Sequence, residues 1–184
     1  MKKHLSILLV MAVALMGLSA CQKTKDKLVG TWKYTEEETV KGDQTTVDGT
    51  RTFAKDGTFT ESATATFTAE TKTEEGTIQV KVGLSATASG NWELQNSDED
   101  IVMSVSKADV QVEYINYYDP SDGSLLEELT GEDLEEASAV YVEELEASLK
   151  KGATERIVKL EENKYETQST DEKGKTSNTI YTKQ

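Results

Sequence analysis

The chain has 184 residues, with 20 Lys and Arg against 34 Asp and Glu, which gives a formal net charge of −14 at pH 7. This acidic balance argues against a nucleic-acid-binding protein, because such binding depends on positive side chains that neutralise phosphates. The single cysteine excludes a framework of disulfides within the chain.

The first 20 residues predict a signal peptide. Residues 1–4 are basic, and residues 5–16 form an apolar run that is too short to span a membrane. Leu18-Ser19-Ala20-Cys21 follows and resembles the lipobox of bacterial lipoproteins, in which the cysteine is acylated, with palmitate for example, and becomes the first residue. We therefore expect lipidation of Cys21 and a polar tether over residues 21–27. The alternative is an ordinary signal peptide that leaves Cys21 as a free thiol.

Cleavage leaves 164 of the 184 residues, the size of one domain, and the loss of Lys2 and Lys3 changes the formal charge from −14 to −16. The only histidine, His4, leaves with the signal, and lipidation uses the only thiol. This removes Ser–His and Cys–His nucleophiles and imidazole zinc sites. We therefore expect no enzyme, no metal site and no cofactor, although paired carboxylates and calcium sites built from oxygen ligands stay open.

After residue 28 the dominant pattern is alternation of apolar and polar residues, which predicts strands with one buried face. The clearest run covers residues 77–94, where Ile78, Val80, Val82 and Leu84 share one parity. Either a tight hairpin near residues 83–85 interrupts this run, or one strongly bent strand continues through it. Similar alternation predicts strands over residues 30–39, 50–55, 58–71, 100–106, 108–118, 154–161, 164–170 and 176–182.

Many strands joined by short turns predict a mainly β protein with an antiparallel meander. Closing the sheet into a barrel of about 8–10 strands removes its exposed edges, and a sandwich is the alternative. One segment departs from this pattern. Residues 130–133 resemble the start of a helix, Gly152 suits its end, and five residues between them recur at helical spacing: Leu134, Ala137, Tyr141, Leu145 and Leu149.

This spacing predicts an amphipathic helix over about residues 131–151, within an insertion at about residues 124–151. We expect the helix to pack its apolar stripe on the barrel wall or across one end of the barrel. The alternative is a lid or a surface that binds a partner.

Four short motifs carry a resemblance to a known family: Gly30-Thr31-Trp32, the hairpin of residues 53–59, the strand Gly90-Asn91-Trp92-Glu93-Leu94, and the closing segments 157–164 and 181–183. Their order and spacing resemble the lipocalin-like lipoproteins of Bacteroidetes-type bacteria. The resemblance implies a lipocalin-like β-barrel domain over residues 28–184, with Trp32 and Trp92 as structural residues of the barrel floor. In lipocalins an arginine of a late strand stacks near the first tryptophan. Here Arg51 and Arg156 are the only arginines that remain.

The family resemblance and the inward alanines predict a small hydrophobic or amphipathic ligand inside the barrel. Alanines among residues 59–69 and 86–88 leave space between larger side chains, unless the facing strands fill it. The predicted ligand-lining residues are Phe59, Phe67, Ile78, Val80, Val82, Leu84, Val112 and Tyr114. If the core is filled, we expect an interaction or accessory lipoprotein of the cell envelope that serves as a partner platform or an inhibitor.

The lipobox also predicts where the protein resides. Acylated Cys21 would anchor it in the lipid bilayer of the outer membrane. Residues 22–26 lack the acidic cluster expected of a surface-export signal in this bacterial group, which favours the periplasmic face over the cell surface.

Overall fold

A computed structural model describes residues 23–40, 43–73, 76–170 and 174–184. The predicted signal peptide and Cys21 lie outside these residues. In chain order the described elements are β1 (Gly30–Val40), β2 (Asp43–Phe53), β3 (Thr58–Lys72), β4 (Thr77–Gln95), β5 (Asp100–Tyr118), β6 (Leu125–Leu129), α1 (Gly131–Lys150), β7 (Ala153–Leu160), β8 (Lys164–Thr170) and β9 (Thr176–Lys183).

Eight of these strands form a closed antiparallel barrel. Their order is β4-β3-β2-β1-β9-β8-β7-β5, and pairing between β4 and β5 completes the ring. The ninth strand, β6, pairs with the far end of β5. The prediction of a mainly β, closed antiparallel barrel with one inserted helix is therefore confirmed, and the architecture is consistent with a lipocalin-like barrel. The sandwich alternative is wrong, because every strand of the ring has a neighbour on both sides.

The two longest strands test the sequence prediction directly. β4 is continuous from Thr77 to Gln95, so the alternative of one continuous strand holds and there is no hairpin near residues 83–85. β5 is also one strand where two were predicted, and it accommodates two extra residues, Ser106 and Glu113, as bulges opposite β4. Each bulge inverts the alternation of the residues that follow it, because two residues then oppose one on the partner strand.

Gly90 makes the first bulge possible. A Cβ at this position would collide with the backbone carbonyl oxygen of Ser104 on β5. Only glycine allows two backbones to approach this closely. The glycine of the Gly90-Asn91-Trp92 motif therefore has a structural role in the pairing of β4 with β5.

One end of the barrel is filled with large side chains, and we call it the closed end. Its nine buried residues are Leu28, Trp32, Phe53, Phe59, Trp92, Ile101, Met103, Tyr165 and Tyr181. Residues 23–28 are helical, and the carbonyl of Leu28 accepts a 2.7 Å hydrogen bond from Trp32 Nε1. Trp92 Nε1 donates to the carbonyl of Ala54 at 3.1 Å, so both indoles are satisfied where they are buried.

The insertion begins with β6 and continues as α1, which packs against β5. Thr130 precedes the helix in an extended conformation, so the helix begins where residues 130–133 predicted, but the Thr130 side chain makes no capping hydrogen bond. Gly152 ends the helix with a φ of 74°, and its N–H donates to Leu149 O at 3.0 Å. Tyr141 is 63% exposed while Ser138 is buried, so the packed stripe is rotated from the predicted one.

Candidate functional site

A partly open cavity of about 200 Å³ lies between the inner faces of β3 and β4 and the helix α1. Its surface is almost entirely apolar. The strands contribute eight residues that are mainly small or aliphatic: Val47, Ala63, Ala65, Leu84, Ala86, Thr87, Ala88 and Val110.

The cavity exists because small residues oppose each other in the strand register. Ala63 pairs with Ala86, and Ala65 pairs with Leu84. Toward the closed end, Glu61 and Ala88 follow in the register, and beyond them Phe59 and Trp92 fill the barrel. Two facing alanines leave a gap that neither strand can close, because a strand backbone cannot move inward without breaking its ladder.

The helix supplies the wall opposite the alanines. Leu145 and Leu149 of α1 line the cavity. The helix lies beside residues 104–114 of β5, a stretch that pairs with β4 on one side and with no described strand on the other. Leu145 is 38% exposed, so this wall is thin.

A polar layer separates the cavity from the closed end. Tyr34 and Glu61 line the cavity, and the Tyr34 hydroxyl donates to Glu61 Oε1 at 2.6 Å. Behind them, Arg51 donates two hydrogen bonds to the same carboxylate, from Nη2 to Oε1 at 3.0 Å and from Nε to Oε2 at 3.2 Å. This two-point geometry is the strong form of an arginine–carboxylate pair.

The other side of Arg51 is held by a second carboxylate. Its Nη1 donates to Glu155 Oε1 at 2.9 Å, and Thr167 Oγ1 donates to Glu155 Oε2 at 3.0 Å. The Tyr181 hydroxyl donates to Glu155 Oε2 at 3.3 Å, and the Tyr181 ring lies 5.0 Å from Arg51 Cζ. We call Arg51, Glu61, Glu155, Tyr34, Tyr181 and Thr167 the Arg51 cluster.

Burial changes the pKa of three members of the Arg51 cluster, namely Arg51, Tyr34 and Tyr181. Desolvation alone would lower the pKa of Arg51, but the charges of Glu155 and Glu61 outweigh it and raise that pKa well above its usual range. Burial, assisted by the charge of Glu61, raises the pKa of Tyr34, and burial likewise raises the pKa of Tyr181. Arg51 is therefore positive and both phenols are neutral donors at neutral pH.

Of the eight predicted ligand-lining residues, Leu84 lines the described cavity. Phe59 belongs to the closed-end core instead, with 3% exposure. Val112 lies opposite Leu84 in the register and is half-buried. The other inward residues continue past the cavity toward the far end of the long strands, and they are Phe67, Ile78, Val80 and Val82.

Tyr114 is a correction, because it lies on the outer face of the barrel. The bulge at Glu113 inverts the alternation, so that Tyr114 pairs with Gly83 while Val112 pairs with Leu84. The Tyr114 ring occupies the space where a Cβ of Gly83 would be. Ile115 takes the inward position instead and is buried.

The cation next to Trp32 also differs from the expectation that it would be an arginine. Lys183 Nζ of the last strand lies 5.0 Å from the Trp32 ring centroid. Arg51 faces the rings of Tyr34, Phe53 and Tyr181. Arg156 is exposed and pairs with Glu99 at 2.9 Å. A late-strand lysine therefore provides the cation–π contact to Trp32.

The sequence contained a signal for two of the six residues of the Arg51 cluster. Arg51 and Glu61 share the inward parity of Phe53 and Phe59, and a charged residue on an apolar face points to a buried pair. Nothing local marks Glu155, because 104 residues separate it from Arg51 in the chain.

Among the described residues, no group of three or more His, Cys, Asp or Glu is placed to hold a metal ion. No helix in this part of the chain is both long enough and apolar enough to span a membrane. Comparison with known proteins finds no family model and no curated protein that matches the chain.

Proposed function

We propose that this protein is a lipocalin-like lipoprotein of the outer membrane that binds a small hydrophobic or amphipathic molecule inside its barrel. The observation that carries the proposal is the apolar cavity between the inward alanines and α1. The proposed role is binding and not catalysis, because the chain beyond the predicted signal contains no histidine and no second cysteine.

The volume of the cavity sets the size of the proposed ligand. An apolar protein cavity of about 150 Å³ holds a benzene-sized molecule. The cavity here has about 200 Å³, which suits a single ring or a short alkyl chain. An apolar ligand would gain contacts with the alanine and leucine side chains that line the cavity.

The proposed anchor is compatible with access to the cavity. The described chain begins at residue 23, and Lys25 Nζ lies 5.3 Å from the Trp92 ring centroid at the closed end. The cavity lies on the other side of the Arg51 cluster. A lipid on Cys21 would therefore hold the closed end toward the membrane and leave the cavity farther from it. The periplasmic face of the outer membrane remains our proposal for its location.

A lipidation assay tests the anchor. Cys21→Ser removes the only thiol, so we expect the variant to lose acyl chains and to leave the membrane fraction or to keep its signal peptide. Unchanged acylation and membrane fractionation would overturn the lipoprotein proposal.

Native mass spectrometry tests the ligand. Protein extracted from its own envelope should retain a small molecule, and Ala63→Leu should abolish this retention by filling the cavity. Thr64→Leu is the matched control, because Thr64 is an exposed neighbour on the outer face of β3. Retention that is equal in both variants, or its absence from the unmodified protein, would contradict the proposal.

A second proposal has its own observation. Three large apolar side chains are exposed on β6 and α1, namely Leu125 (52%), Leu126 (55%) and Tyr141 (63%). β6 also pairs only with β5 in the described sheet, and a free strand edge is a site for added partners. This surface would suit an envelope protein partner.

Crosslinking in intact cells tests this second proposal and should capture one stoichiometric protein. Leu126→Lys should abolish the capture of that protein, while Ile180→Lys on β9 should not.

A further inference from the structure

The apolar cavity ends on one ionised side chain. Glu61 is the single charged residue among the described cavity-lining residues, and its side chain keeps 19% exposure. It accepts three hydrogen bonds, one from Tyr34 and two from Arg51. A carboxylate has about four acceptor sites, so Glu61 can accept one more donor from the cavity side.

The positive charge that balances Glu61 is turned away from the cavity. Arg51 is 5% exposed and does not line the cavity, and its Nη1 is committed to Glu155. One guanidinium is therefore shared by two carboxylates, which leaves the Arg51 cluster with an excess of one negative charge. A molecule inside the cavity meets the carboxylate first and the cation behind it.

One further carboxylate, the exposed Glu36, adds to the negative potential at Tyr34. Glu36 follows Tyr34 on the same face of β1 and accepts a hydrogen bond from Thr179. The whole chain carries a formal charge of −14. Low-dielectric apolar walls focus such a field inside a cleft instead of letting water screen it.

We infer that the cavity selects amphiphiles with a cationic ammonium end, which would lie against Glu61 while their ring or short alkyl chain contacts the alanines and Leu145. This inference rests on the proposed function, because it names the class of ligand for the same cavity. An anionic amphiphile of the same size would place its charge against Glu61 and be rejected. A neutral one would bind through its apolar part alone.

Three single-ring probes of similar size test this selection: 2-phenylethylamine as the cation, 2-phenylethanol as the neutral probe and 3-phenylpropionate as the anion. Binding is measured by titration calorimetry on the acylated protein in phosphatidylcholine nanodiscs, with empty nanodiscs as the blank. We expect the amine to bind about tenfold more tightly than the alcohol, and the anion to bind most weakly.

Two charge variants separate the local contact from the general acidity of the protein. Glu61→Gln should reduce the preference for the amine over the alcohol to less than about threefold, with binding of the alcohol retained. Glu99→Gln removes one charge from the surface, where the side chain is 59% exposed, and should leave the preference unchanged. An equal effect of both variants would overturn the inference in favour of non-specific attraction.

The outcomes also separate this inference from the proposed function. Binding of the alcohol that Ala63→Leu abolishes, combined with no preference for the amine, overturns the ammonium inference and leaves the cavity as a ligand site. If no probe binds, or if Ala63→Leu changes nothing, the proposed function fails as well.

Discussion

Arg51 is the residue on which the interior depends most. It is 5% exposed and connects β2 to β3 through Glu61 and to β7 through Glu155. A buried ion pair is not a large source of stability by itself, because the desolvation of both partners offsets their attraction. Its loss is costly for another reason, since the removal of one partner leaves the others charged and without compensation.

Arg51→Met should therefore lower the free energy of unfolding by about 3–5 kcal/mol, because Glu61 and Glu155 then remain buried without a counter-charge. Urea unfolding followed by tryptophan fluorescence measures this change. Arg156→Met is the matched control, since Arg156 forms a surface pair with Glu99 that is more than half exposed, and such pairs contribute about 0–1 kcal/mol. If Arg51→Met lowers the free energy of unfolding as little as Arg156→Met does, water has access to the Arg51 cluster.

Two buried tyrosines, Tyr165 and Tyr181, and the partly buried Tyr34 make the protein sensitive to alkali. Burial raises the pKa values of Tyr34, Tyr165 and Tyr181 above the ordinary value near 10. Their contribution to stability is therefore complete below about pH 10 and declines above it, because the unfolded chain releases protons that the folded chain keeps. Tyrosinate absorbance should show these three groups ionising only as the protein unfolds. Tyr34→Phe should make the alkaline decline shallower, and an unchanged decline would contradict this assignment.

At the scale of the elements, most of the barrel could be predicted from alternation. Of the nine described strands, β1–β4 and β7–β9 each correspond to one segment predicted from period-two alternation, and α1 corresponds to the segment predicted from helical spacing. These patterns exist because one face of each element is buried. The bulges at Ser106 and Glu113 could not be predicted, since a bulge depends on the partner strand and the alternation of a single strand does not record it. This is why the predicted orientation of Tyr114 was wrong, while Leu84, on the strand without bulged residues, was placed on the correct face.

The candidate site also has one part that could be predicted from the sequence and one part that could not. The alanine wall could be predicted because Ala63 and Ala86 belong to inward runs whose strands are neighbours in sequence. The Arg51 cluster could not, because it joins β1, β2, β3, β7, β8 and β9, and the contacts between them depend on how the barrel closes. The exposure of Tyr141 on α1 could not be predicted either, because the orientation of the helix depends on its packing against β5, beside a bulged stretch.

Two glycines that lie under aromatic rings provide a prediction about strand packing. The Tyr34 ring covers Gly49 on the inner face, and the Tyr114 ring covers Gly83 on the outer face. A Cβ at either position would collide with the ring. Gly49→Ala should cost about 1–3 kcal/mol of unfolding free energy, because a shift of the Tyr34 ring would break its hydrogen bond to Glu61.

Gly83→Ala is the comparison for Gly49→Ala. Tyr114 is half-buried on the outer face and can rotate toward solvent, so this substitution should cost less than the one at Gly49. Thermal unfolding of both variants gives the order directly. If Gly83→Ala destabilises the protein more than Gly49→Ala does, the Tyr114 ring is packed more tightly than the Tyr34 ring.

At the scale of the whole molecule, stability is distributed unevenly along the barrel. The closed end holds stacked and edge-on aromatic rings, with Tyr165 and Tyr181 at 4.2 Å and Trp32 and Tyr165 at 4.7 Å. The cavity end has small side chains on the strands, and its remaining wall is α1. Regions with few buried apolar contacts open locally at lower free energy than the core. The proposed ligand site therefore lies in the part of the fold that opens most readily.

Hydrogen exchange should reveal this difference and its link to binding. Amides of α1 should exchange faster than those of β1 and β9 at the closed end, because α1 packs mainly against β5 and Leu145 is 38% exposed. Saturation with 2-phenylethylamine should slow exchange in α1, since a bound molecule contacts Leu145 and Leu149 and disfavours states in which the helix has moved away. Ala63→Leu is the control, because its filled cavity should protect α1 without added probe and respond no further to it. Exchange in α1 as slow as in β1 would contradict the predicted difference in local stability, and slowing by the probe in Ala63→Leu would show that the probe acts from a site other than the cavity.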